Sequence, residues 1–396
     1  MSDKKKTALV ISYSPLHCDP RVLRQIYALK DDYIVQTVGF TNPNVDHAVF
    51  FEIALSSCRT FFEKVCRAFS ILCHSYKSVL AQRLSLEKLF LYNFKVPDVI
   101  FANDYDGLYA AEMLKRNKGW NCAVYFDSHE YFPRYRESLF WKIFEGPLVR
   151  YVFLQAKCSF SIMSTVSPVL ARMYERYFGF KQNSVLVITN SPDYEKTLKP
   201  APLKDKIRII HHGRSIKIRH LEKMIDVMKY LPPDGYELFF MLVHDNDEAY
   251  YRKLVKRASK YKNIHFCDPV PTDEISSFIN QFDIGLFVLD NKIINYRYAL
   301  PNKFFEFVQS RLAIVVGDSP EMRACIQNYG LGVAAKKNTS RAVAEVIVKM
   351  SKDDIMGYKN NAHGCAKSLS SEKNIEDLKR IACDLSMRKG DGCMWT

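Results

Sequence analysis

Short apolar runs alternate with helix-like patterns along the chain. Residues 7–12 form an apolar run typical of a strand buried on both faces, and apolar residues recur at helical spacing after Asp19-Pro20-Arg21. The same unit recurs, with further strands expected at 33–40, 98–102, 123–127 and 184–188. Because strands separated by helices favour a parallel sheet with helices on both faces, this part of the chain is predicted to be a doubly wound, Rossmann-like α/β domain.

A second series of strands and helices follows the proline-spaced segment 200–202. Its strands are expected at 206–211, 236–243, 263–267, 284–289 and 313–317. Since single cores stop growing at roughly 250–300 residues, a chain of 396 residues is expected to form two domains. We predict one domain at 1–200, a second at 203–368, and a tail at 369–396 whose helix returns to the first domain. Two such domains facing a central cleft are expected to bind ligands there, at the carboxyl ends of their strands.

Charge is the compositional feature that points to a partner. The chain has 57 Lys and Arg against 43 Asp and Glu, a net charge of +14, and its 48% hydrophobic residues exclude a disordered chain. A basic surface can bind nucleic acid, anionic lipid or small anions such as nucleotide diphosphates. The chain carries no helix-turn-helix, RNA-recognition or zinc-finger signature, which disfavours nucleic acid as the partner.

The apolar runs indicate where the protein is located in the cell, and the cysteines indicate the redox state of its thiols. Charges interrupt the long apolar runs, so no transmembrane helix is predicted. The charged start leads into a strand and not into a secretory signal, which favours a cytoplasmic protein. The 11 cysteines show neither a Cys-x-x-Cys pair nor zinc-ligand spacing, so we expect reduced, buried thiols and no metal site.

Residues 50–94 combine apolar and basic positions and allow two interpretations. The apolar side chains recur at helical spacing, with basic residues between them. One interpretation is one or two helices packed on the sheet. The other is a basic, aromatic surface that makes peripheral contact with an anionic membrane, because both use the same amphipathic pattern.

Residues 211–219 occupy a strand-to-helix position in the second domain. Gly213 stands where the backbone must turn, and Arg214, Lys217 and Arg219 follow it. Amides, a helix N-terminus and guanidinium groups together suit a diphosphate, although a solvated basic loop has the same composition. Neither a Gly-x-Gly-x-x-Gly nor a P-loop motif follows the predicted strands, so the usual signals of dinucleotide redox chemistry and P-loop phosphoryl transfer are lacking.

Residues 300–306 place polar groups on one face of an apolar helix. Asn302 and Lys303 fall in the first turn and Glu306 lies one turn later. A carboxylate in such a helix must be paired or must bind a polar ligand, because an unpaired buried charge is costly. Glu306 could pair with Lys303 at i, i+3, or it could accept hydrogen bonds from a ribose diol.

These stretches follow one another in an order that resembles a known enzyme family. Together with 12–29, 125–131, 187–193 and 318–322, they resemble GT-B-fold glycosyltransferases of the retaining family 4 type, over roughly residues 7–335. The resemblance implies two Rossmann-like α/β domains, with a nucleotide-sugar donor held mainly by the second.

The resemblance also implies roles for individual residues in the second domain. Arg214 and Arg219 correspond to the two cations that hold the diphosphate, and Glu306 corresponds to the last glutamate of a Glu-x7-Glu motif that binds the ribose. The first glutamate of that motif is replaced here by Tyr298. The implied donor-binding set is Gly213, Arg214, Arg219, Tyr298, Asn302, Lys303 and Glu306.

In the first domain, the resemblance points to residues on the acceptor side. His129 resembles the active-site histidine, with Glu130 beside it, and Asp19 and Arg21 resemble the loop that meets the acceptor. His129 could instead cap its strand, and Asp19 could cap a helix at the same time. The implied catalytic residues are His129, Arg214 and Arg219.

The predicted function is glycosyl transfer from a UDP- or GDP-sugar to a glycan or lipid-linked acceptor in surface polysaccharide assembly, with retention implied by the resemblance. Cations at the leaving diphosphate stabilise the transition state, so neither a metal nor a cofactor is expected. Asp245-Asn246-Asp247 is interpreted as a polar loop and not as a metal-binding pair. The alternatives are a nucleotide-sugar 2-epimerase, which the scarcity of clustered acids disfavours, and a non-enzymatic nucleic-acid-binding protein.

Overall fold

The computed structural model describes residues 5–56, 60–244, 247–289 and 291–388, and it divides into two compact units. The first unit holds the chain up to Thr189 and again from Asn374 onward, and the second is Asn190–Lys373. The sequence placed residues 190–200 in the first domain. They belong to the second unit because its side chains bind their backbone: Glu372 accepts from the amide of Tyr194 at 3.1 Å, and Arg311 donates to the carbonyl of Glu195 at 2.6 Å.

The described part of the first unit contains one sheet of seven parallel strands in the order β3-β2-β1-β4-β5-β6-β7. These strands are β1 Lys6–Ile11, β2 Tyr33–Gly39, β3 Val49–Glu52, β4 Val99–Asn103, β5 Ala123–Ser128, β6 Ile162–Thr165 and β7 Leu186–Val187. Its helices before Thr189 are α1 Pro20–Leu29, α2 Phe61–Leu72, α3 Tyr76–Arg83, α4 Leu86–Leu91, α5 Asp104–Lys118, α6 Gly146–Ala156 and α7 Pro168–Phe178. A π-helical turn, Trp141–Glu145, precedes α6. The sequence predictions did not include β3 and β6, which are only four residues long.

The described part of the second unit contains six parallel strands in the order β10-β9-β8-β11-β12-β13. They are β8 Ile207–Arg214, β9 Tyr236–Val243, β10 Ile264–Cys267, β11 Ile284–Phe287, β12 Ala313–Val316 and β13 Gly332–Ala334. Its helices are α8 Glu222–Val227, α9 Glu248–Ala258, α10 Ile275–Ile279, α11 Ile294–Arg297, α12 Asn302–Gln309, α13 Pro320–Tyr329, α14 Ser340–Val348 and α15 Lys352–Cys365. A short 3-10 turn, Lys217–Arg219, follows β8.

The last helix, α16 Ser371–Met387, packs its apolar side chains into the core of the first unit. Leu378, Ile381 and Leu385 are buried in the same cluster as Val10 and Tyr125 of the sheet. The first core is therefore completed by residues from the end of the chain.

Glycine allows a close approach in the first unit. An added Cβ at Gly107, in the first turn of α5, would lie 2.9 Å from the carbonyl oxygen of Ile11 at the end of β1. The absence of a side chain lets α5 begin directly against the carboxyl edge of the sheet.

The structure contradicts two expectations about residue burial. The interpretation of residues 50–94 as helices packed on the sheet fails for most apolar side chains of α2, since Phe61 is 83% exposed and Phe69 66%, whereas Ile71 is buried. The expectation of buried thiols is also wrong for five exposed cysteines in the part of the chain that the structure describes, Cys18, Cys66, Cys73, Cys158 and Cys383. No helix in the described ranges is long and apolar enough to span a bilayer.

Candidate functional site

The predicted diphosphate site lies in the second unit, where strand β8 ends and helix α12 begins. Parallel strands direct their carboxyl ends to the same edge of a sheet, and ligands of such sheets bind there. Strand β8 is central in its sheet, between β9 and β11, and it carries His211, His212, Gly213 and Arg214 at its carboxyl end.

Gly213 lets the side chain of Lys303 lie against the backbone of this strand. Its φ is +117°, and an added Cβ would lie 2.2 Å from Cε and 2.3 Å from Nζ of Lys303. Any other residue would therefore suffer backbone strain and would displace the end of the Lys303 side chain. The glycine predicted for a backbone turn thus also makes room for a cation.

Burial and neighbouring cations lower the pKa of two cations of this site, Lys303 and Arg219. Burial, followed by Arg219 and Arg214, lowers the pKa of Lys303 to about 8, although Glu306 acts in the opposite direction. Burial and Arg214 also lower the pKa of Arg219, against an opposing effect of Tyr296. Positive charges that are held together despite burial and mutual repulsion indicate a site for an anion.

Glu306 lies against a neutral histidine. Its Oε2 is 3.3 Å from Nε2 of His212. Burial and the charge of Lys303 hold the pKa of His212 well below its usual range, so this contact is not an ion pair. Burial raises the pKa of Glu306, and Lys303 opposes that rise. The structure thus places Glu306 against His212 and couples it electrostatically to Lys303, which leaves its carboxylate able to accept hydrogen bonds from a ligand.

Three residues of this region were not among the predicted site residues. His211 and His212 are buried imidazoles at the end of β8; burial and Lys303 lower the pKa of His211 to about 3, and its Nδ1 lies 2.9 Å from the carbonyl of Leu286. The hydroxyl of Ser215 is buried without a hydrogen-bond partner in the described residues. The signal that could have revealed them is a run of polar residues at the end of an otherwise apolar strand.

Two members of the predicted donor-binding set have other neighbours. The guanidinium of Arg297 lies 5.7 Å from the ring centroid of Tyr298, and the side-chain carbonyl of Asn302 accepts a hydrogen bond from the amide of Asn190. The residues that the structure brings together are Gly213, Arg214, Arg219, Lys303 and Glu306.

A second polar cluster lies at the carboxyl edge of the first unit's sheet, around His129. Strands β4 and β5 are paired so that Asn103 is opposite Asp127, and His129 follows directly after β5. The next residue after Asn103, Asp104, has the left-handed φ of +56°, which is uncommon outside glycine. The amide of His129 donates to this aspartate at 2.9 Å.

The His129 ring is held between two carboxylates. Its Nδ1 is 3.5 Å from Oδ2 of Asp104, and its Nε2 is 3.5 Å from Oδ2 of Asp127 and 3.2 Å from Oδ1 of Asn103. Burial disfavours the imidazolium, yet Asp104 and Asp127 outweigh it and raise the pKa of His129. The ring is therefore stabilised as a cation, and its partners are side chains, whereas a strand cap would bond to backbone.

Asp127 is the buried anion of this cluster. Burial alone would raise the pKa of Asp127, but Arg21 and His129 lower it well below the usual range. Arg21 donates one hydrogen bond, at 3.2 Å, to the carbonyl of Ile188, while its Nη1 is buried without a hydrogen-bond partner in the described residues. Gln25 supports the arrangement, because its amide donates to Asp127 at 3.0 Å.

Asp19 has the helix-capping role that the sequence left open. Its Oδ1 accepts from the amides of Arg21 at 3.2 Å and Val22 at 3.4 Å, and its Oδ2 accepts from the hydroxyl of Ser14 at 2.7 Å. Asp19 therefore fixes the start of α1, the helix that carries Arg21.

Glu130 completes the acidic surroundings of His129. Burial, with a smaller contribution from Asp104, raises its pKa to about 7. A carboxyl group with such a pKa can gain or lose a proton near neutral pH. The sequence suggested that clustered acids are scarce, but the structure brings Asp104, Asp127 and Glu130 together around one histidine.

Over the described ranges, no three His, Cys, Asp or Glu side chains are grouped so that they could hold a metal ion. Asp247 instead begins α9, accepting from the amide of Tyr250 at 3.1 Å. The other two residues of that predicted loop, Asp245 and Asn246, lie outside the described residues.

Comparisons with known proteins match at the level of structure and not of sequence. No protein-family model and no curated protein sequence matches the chain. Among solved structures, Anabaena HepE in complex with UDP and glucose has a TM-score of 0.69 at 11% identity, covering 96% of this chain and 100% of its own. The UDP-forming α,α-trehalose-phosphate synthase of Burkholderia vietnamiensis has a TM-score of 0.66 at 11% identity, with the same coverage. The sucrose-phosphate synthase of Thermosynechococcus elongatus has a TM-score of 0.66 at 12% identity, covering 96% and 99%. Two parallel sheets flanked by helices, matched over nearly the full length of these chains, establish that the protein has the GT-B fold predicted from its sequence.

Proposed function

We propose that this protein is a metal-independent glycosyltransferase. It would transfer a sugar, with retention of configuration, from a UDP- or GDP-sugar to a glycan or lipid-linked acceptor in surface polysaccharide assembly. The observation that carries this proposal is the cluster of Arg214, Arg219 and Lys303 beside Glu306, in which Lys303 lies against Gly213, and burial and neighbouring cations lower the pKa of Lys303 and Arg219 and so favour a bound anion. HepE, which shares the fold, binds UDP-glucose, and this supports the choice of a nucleotide-sugar donor.

The chemistry of a nucleotide sugar matches the groups of this site. Breaking the anomeric carbon–oxygen bond leaves a nucleoside diphosphate with an additional negative charge. Fixed cations at that leaving group bind it more tightly in the transition state than in the ground state, which lowers the barrier. Arg214, Arg219 and Lys303 would supply this charge without a metal. Glu306 would accept hydrogen bonds from the ribose hydroxyls.

The acceptor side is assigned to the His129 cluster of the first unit. A protonated His129 can stabilise negative charge, and Glu130, with a pKa of about 7, can accept the proton that an acceptor hydroxyl releases. Arg21 adds a buried N–H group that has no hydrogen-bond partner in the described residues. Asp19 acts through Arg21, by capping the helix that carries it.

The donor is tested by thermal shift with UDP, GDP and ADP, with a short DNA duplex as the competing ligand. We expect stabilisation by UDP or GDP and none by DNA. A response to DNA alone would contradict the proposal. A panel of UDP- and GDP-sugars, incubated with the enzyme and assayed for slow release of the nucleotide, then identifies the base and the sugar.

The leaving-group role is tested by Arg219→Gln. We expect a roughly hundredfold loss of kcat with a smaller rise in KM, since an interaction made in the transition state affects turnover more than binding. Arg252→Gln is the control, because Arg252 lies on α9 of the same unit with its guanidinium bonded to Glu248. A rise in KM with an unchanged kcat would reduce Arg219 to a binding residue.

A further inference from the structure

Helix α2 exposes an apolar face. Its five exposed large apolar side chains are between 48% and 83% exposed: Phe61, Phe62, Val65, Phe69 and Leu72. On a helix with 3.6 residues per turn they fall within an arc of roughly 100°. Ile71, on another side of the helix, is 4% exposed and anchors it to the protein. A monomeric surface seldom leaves so continuous an apolar stripe without a partner.

The apolar surface continues on the segment before α6. Leu139 and Phe140 are 72% and 67% exposed, and the π-helical turn Trp141–Glu145 that follows them contacts α2. Two elements of the first unit thus present large apolar side chains next to each other.

A basic cavity lies beside this turn. It has a volume of about 830 Å³ and is lined by Arg134, Arg136, Lys142 and Arg150 together with the rings of Tyr76, Trp141 and Tyr151. Glu137, which also lines it, accepts from Arg134 at 2.6 Å and pairs with Lys142 at 3.3 Å. Neither Arg136 nor Arg150 has an ion-pair partner in the described residues, so the cavity retains positive charge.

We propose that this face of the first unit docks onto an anionic lipid bilayer. The apolar side chains of α2, with Leu139 and Phe140, enter the boundary between headgroups and acyl chains, and the cavity holds the phosphate group of one lipid. Large apolar residues beside cations are the composition of interfacial membrane-binding elements. A second copy of the chain fits less well, because a two-fold contact would bring the same cations together. This inference does not depend on the proposed glycosyl transfer.

The apolar contact is tested by a matched pair of substitutions. Val65 on α2 and Val348 on α14 of the second unit are both 48% exposed. Co-sedimentation compares vesicles of phosphatidylcholine alone with vesicles that also contain phosphatidylglycerol. We expect binding only to the latter, weakened at least about tenfold by Val65→Glu, since a carboxylate replaces apolar area buried in the membrane, and unchanged by Val348→Glu. Phe61→Ser, a milder change on the same stripe, should weaken binding in the same direction.

The phosphate site is tested by Arg150→Gln. Each cation near an anionic membrane contributes enough to change affinity by about fivefold, so this variant should bind the phosphatidylglycerol vesicles about fivefold more weakly. Inorganic phosphate is the competing probe and should leave most of the vesicle binding in place, because it provides no apolar contact. If inorganic phosphate stabilises the protein through Arg150 but vesicles do not bind, the cavity takes a soluble anion and the membrane proposal is wrong.

Other results would also overturn the proposal. Equal binding to both kinds of vesicle would show that the charge of the lipid does not contribute. Equal effects of Val65→Glu and Val348→Glu on binding would show that α2 does not contact the membrane. A dimer in analytical ultracentrifugation that Val65→Glu dissociates, with no vesicle binding, would assign the surface to self-association. Because no sugar donor enters these measurements, their failure is distinct from a failure of the UDP and GDP thermal shifts.

Discussion

At the scale of single residues, the second unit holds cations close together, and this arrangement is unfavourable in the absence of an anion. Lys303 lies against Gly213, and its burial, together with the charges of Arg219 and Arg214, lowers its pKa to about 8. A charge that is disfavoured in the free protein becomes favourable when an anion binds, so this arrangement couples ligand binding to protonation.

The affinity for UDP should therefore depend on pH. With a pKa of about 8, Lys303 is charged at pH 7 and loses its proton as the pH rises, while the diphosphate keeps its charge. We expect the Kd for UDP to rise about tenfold between about pH 7 and about pH 9, measured by titration calorimetry. Lys303→Arg keeps a permanent charge and should flatten this profile. A flat profile in the unaltered protein would show that Lys303 does not meet the ligand.

A substitution of Glu306, with a matched control, tests the proposed ribose binding. Glu306→Ala should raise the Kd for UDP about tenfold or more, because a hydrogen bond to a charged group contributes roughly 1.5–3 kcal/mol. Folding should not suffer, since burial already disfavours the charge of this carboxylate. The control is Glu345→Ala on α14, an exposed glutamate paired with Arg341. The ribose assignment is wrong if both variants bind UDP equally well.

The protonation of His129 affects the stability of the first unit. Its pKa is raised from 6.5, so the folded state holds the proton more tightly than the unfolded chain does. This stabilisation is fully present below pH 6.5 and is lost as the pH rises through the folded pKa. The difference in Tm between the unaltered protein and His129→Gln should accordingly be largest at acidic pH and shrink on raising the pH. A difference that is constant with pH would mean that the ring is neutral.

At the scale of elements, the first turns of helices position candidate site residues. The carboxylate of Asp19 binds two amides of the first turn of α1, Pro20 occupies the position where a missing N–H is harmless, and Arg21 is thereby set toward Asp127. Helix α12 likewise begins with Lys303 in its first turn. In both units, the positioning of a candidate site residue depends on how a helix begins.

The cap of α1 can be tested by Asp19→Ala, which should lower the free energy of unfolding by about 1 kcal/mol. Asp19→Asn keeps an acceptor and should be close to the unaltered protein, as measured by urea denaturation. If Asp19→Asn retains stability but loses turnover, the carboxylate has a role with the acceptor beyond capping.

At the scale of the whole molecule, the end of the chain completes the core at its beginning. Ile381 of α16 is buried in the same cluster as Val10 of β1. Ile381→Ala should destabilise by about 2–5 kcal/mol, the usual cost of such a cavity. Hydrogen exchange should then show faster exchange in peptides of β1 and β2, whereas UDP should slow exchange in β8 and α12. Unchanged exchange in β1 after Ile381→Ala would show that α16 does not support this core.

The sequence by itself determined the class of fold and indicated the residues of one candidate site. Apolar runs separated by helical patterns were enough to predict two doubly wound units, and the order of the motifs was enough to predict the GT-B fold. Glycine, cations and a carboxylate at 213, 214, 219, 303 and 306 could be identified because these residue types suit a diphosphate and a ribose.

Only the tertiary structure decided which polar groups meet and which apolar groups remain exposed. Periodicity shows that α2 has an apolar face but not whether another element covers it, since burial depends on contacts distant in sequence. For the same reason, the carboxylates around His129 come from different strand ends, and the neutral His212 beside Glu306 depends on the packing of a helix against a strand. Local spacing encodes elements, whereas pKa values and open surfaces arise from contacts between them.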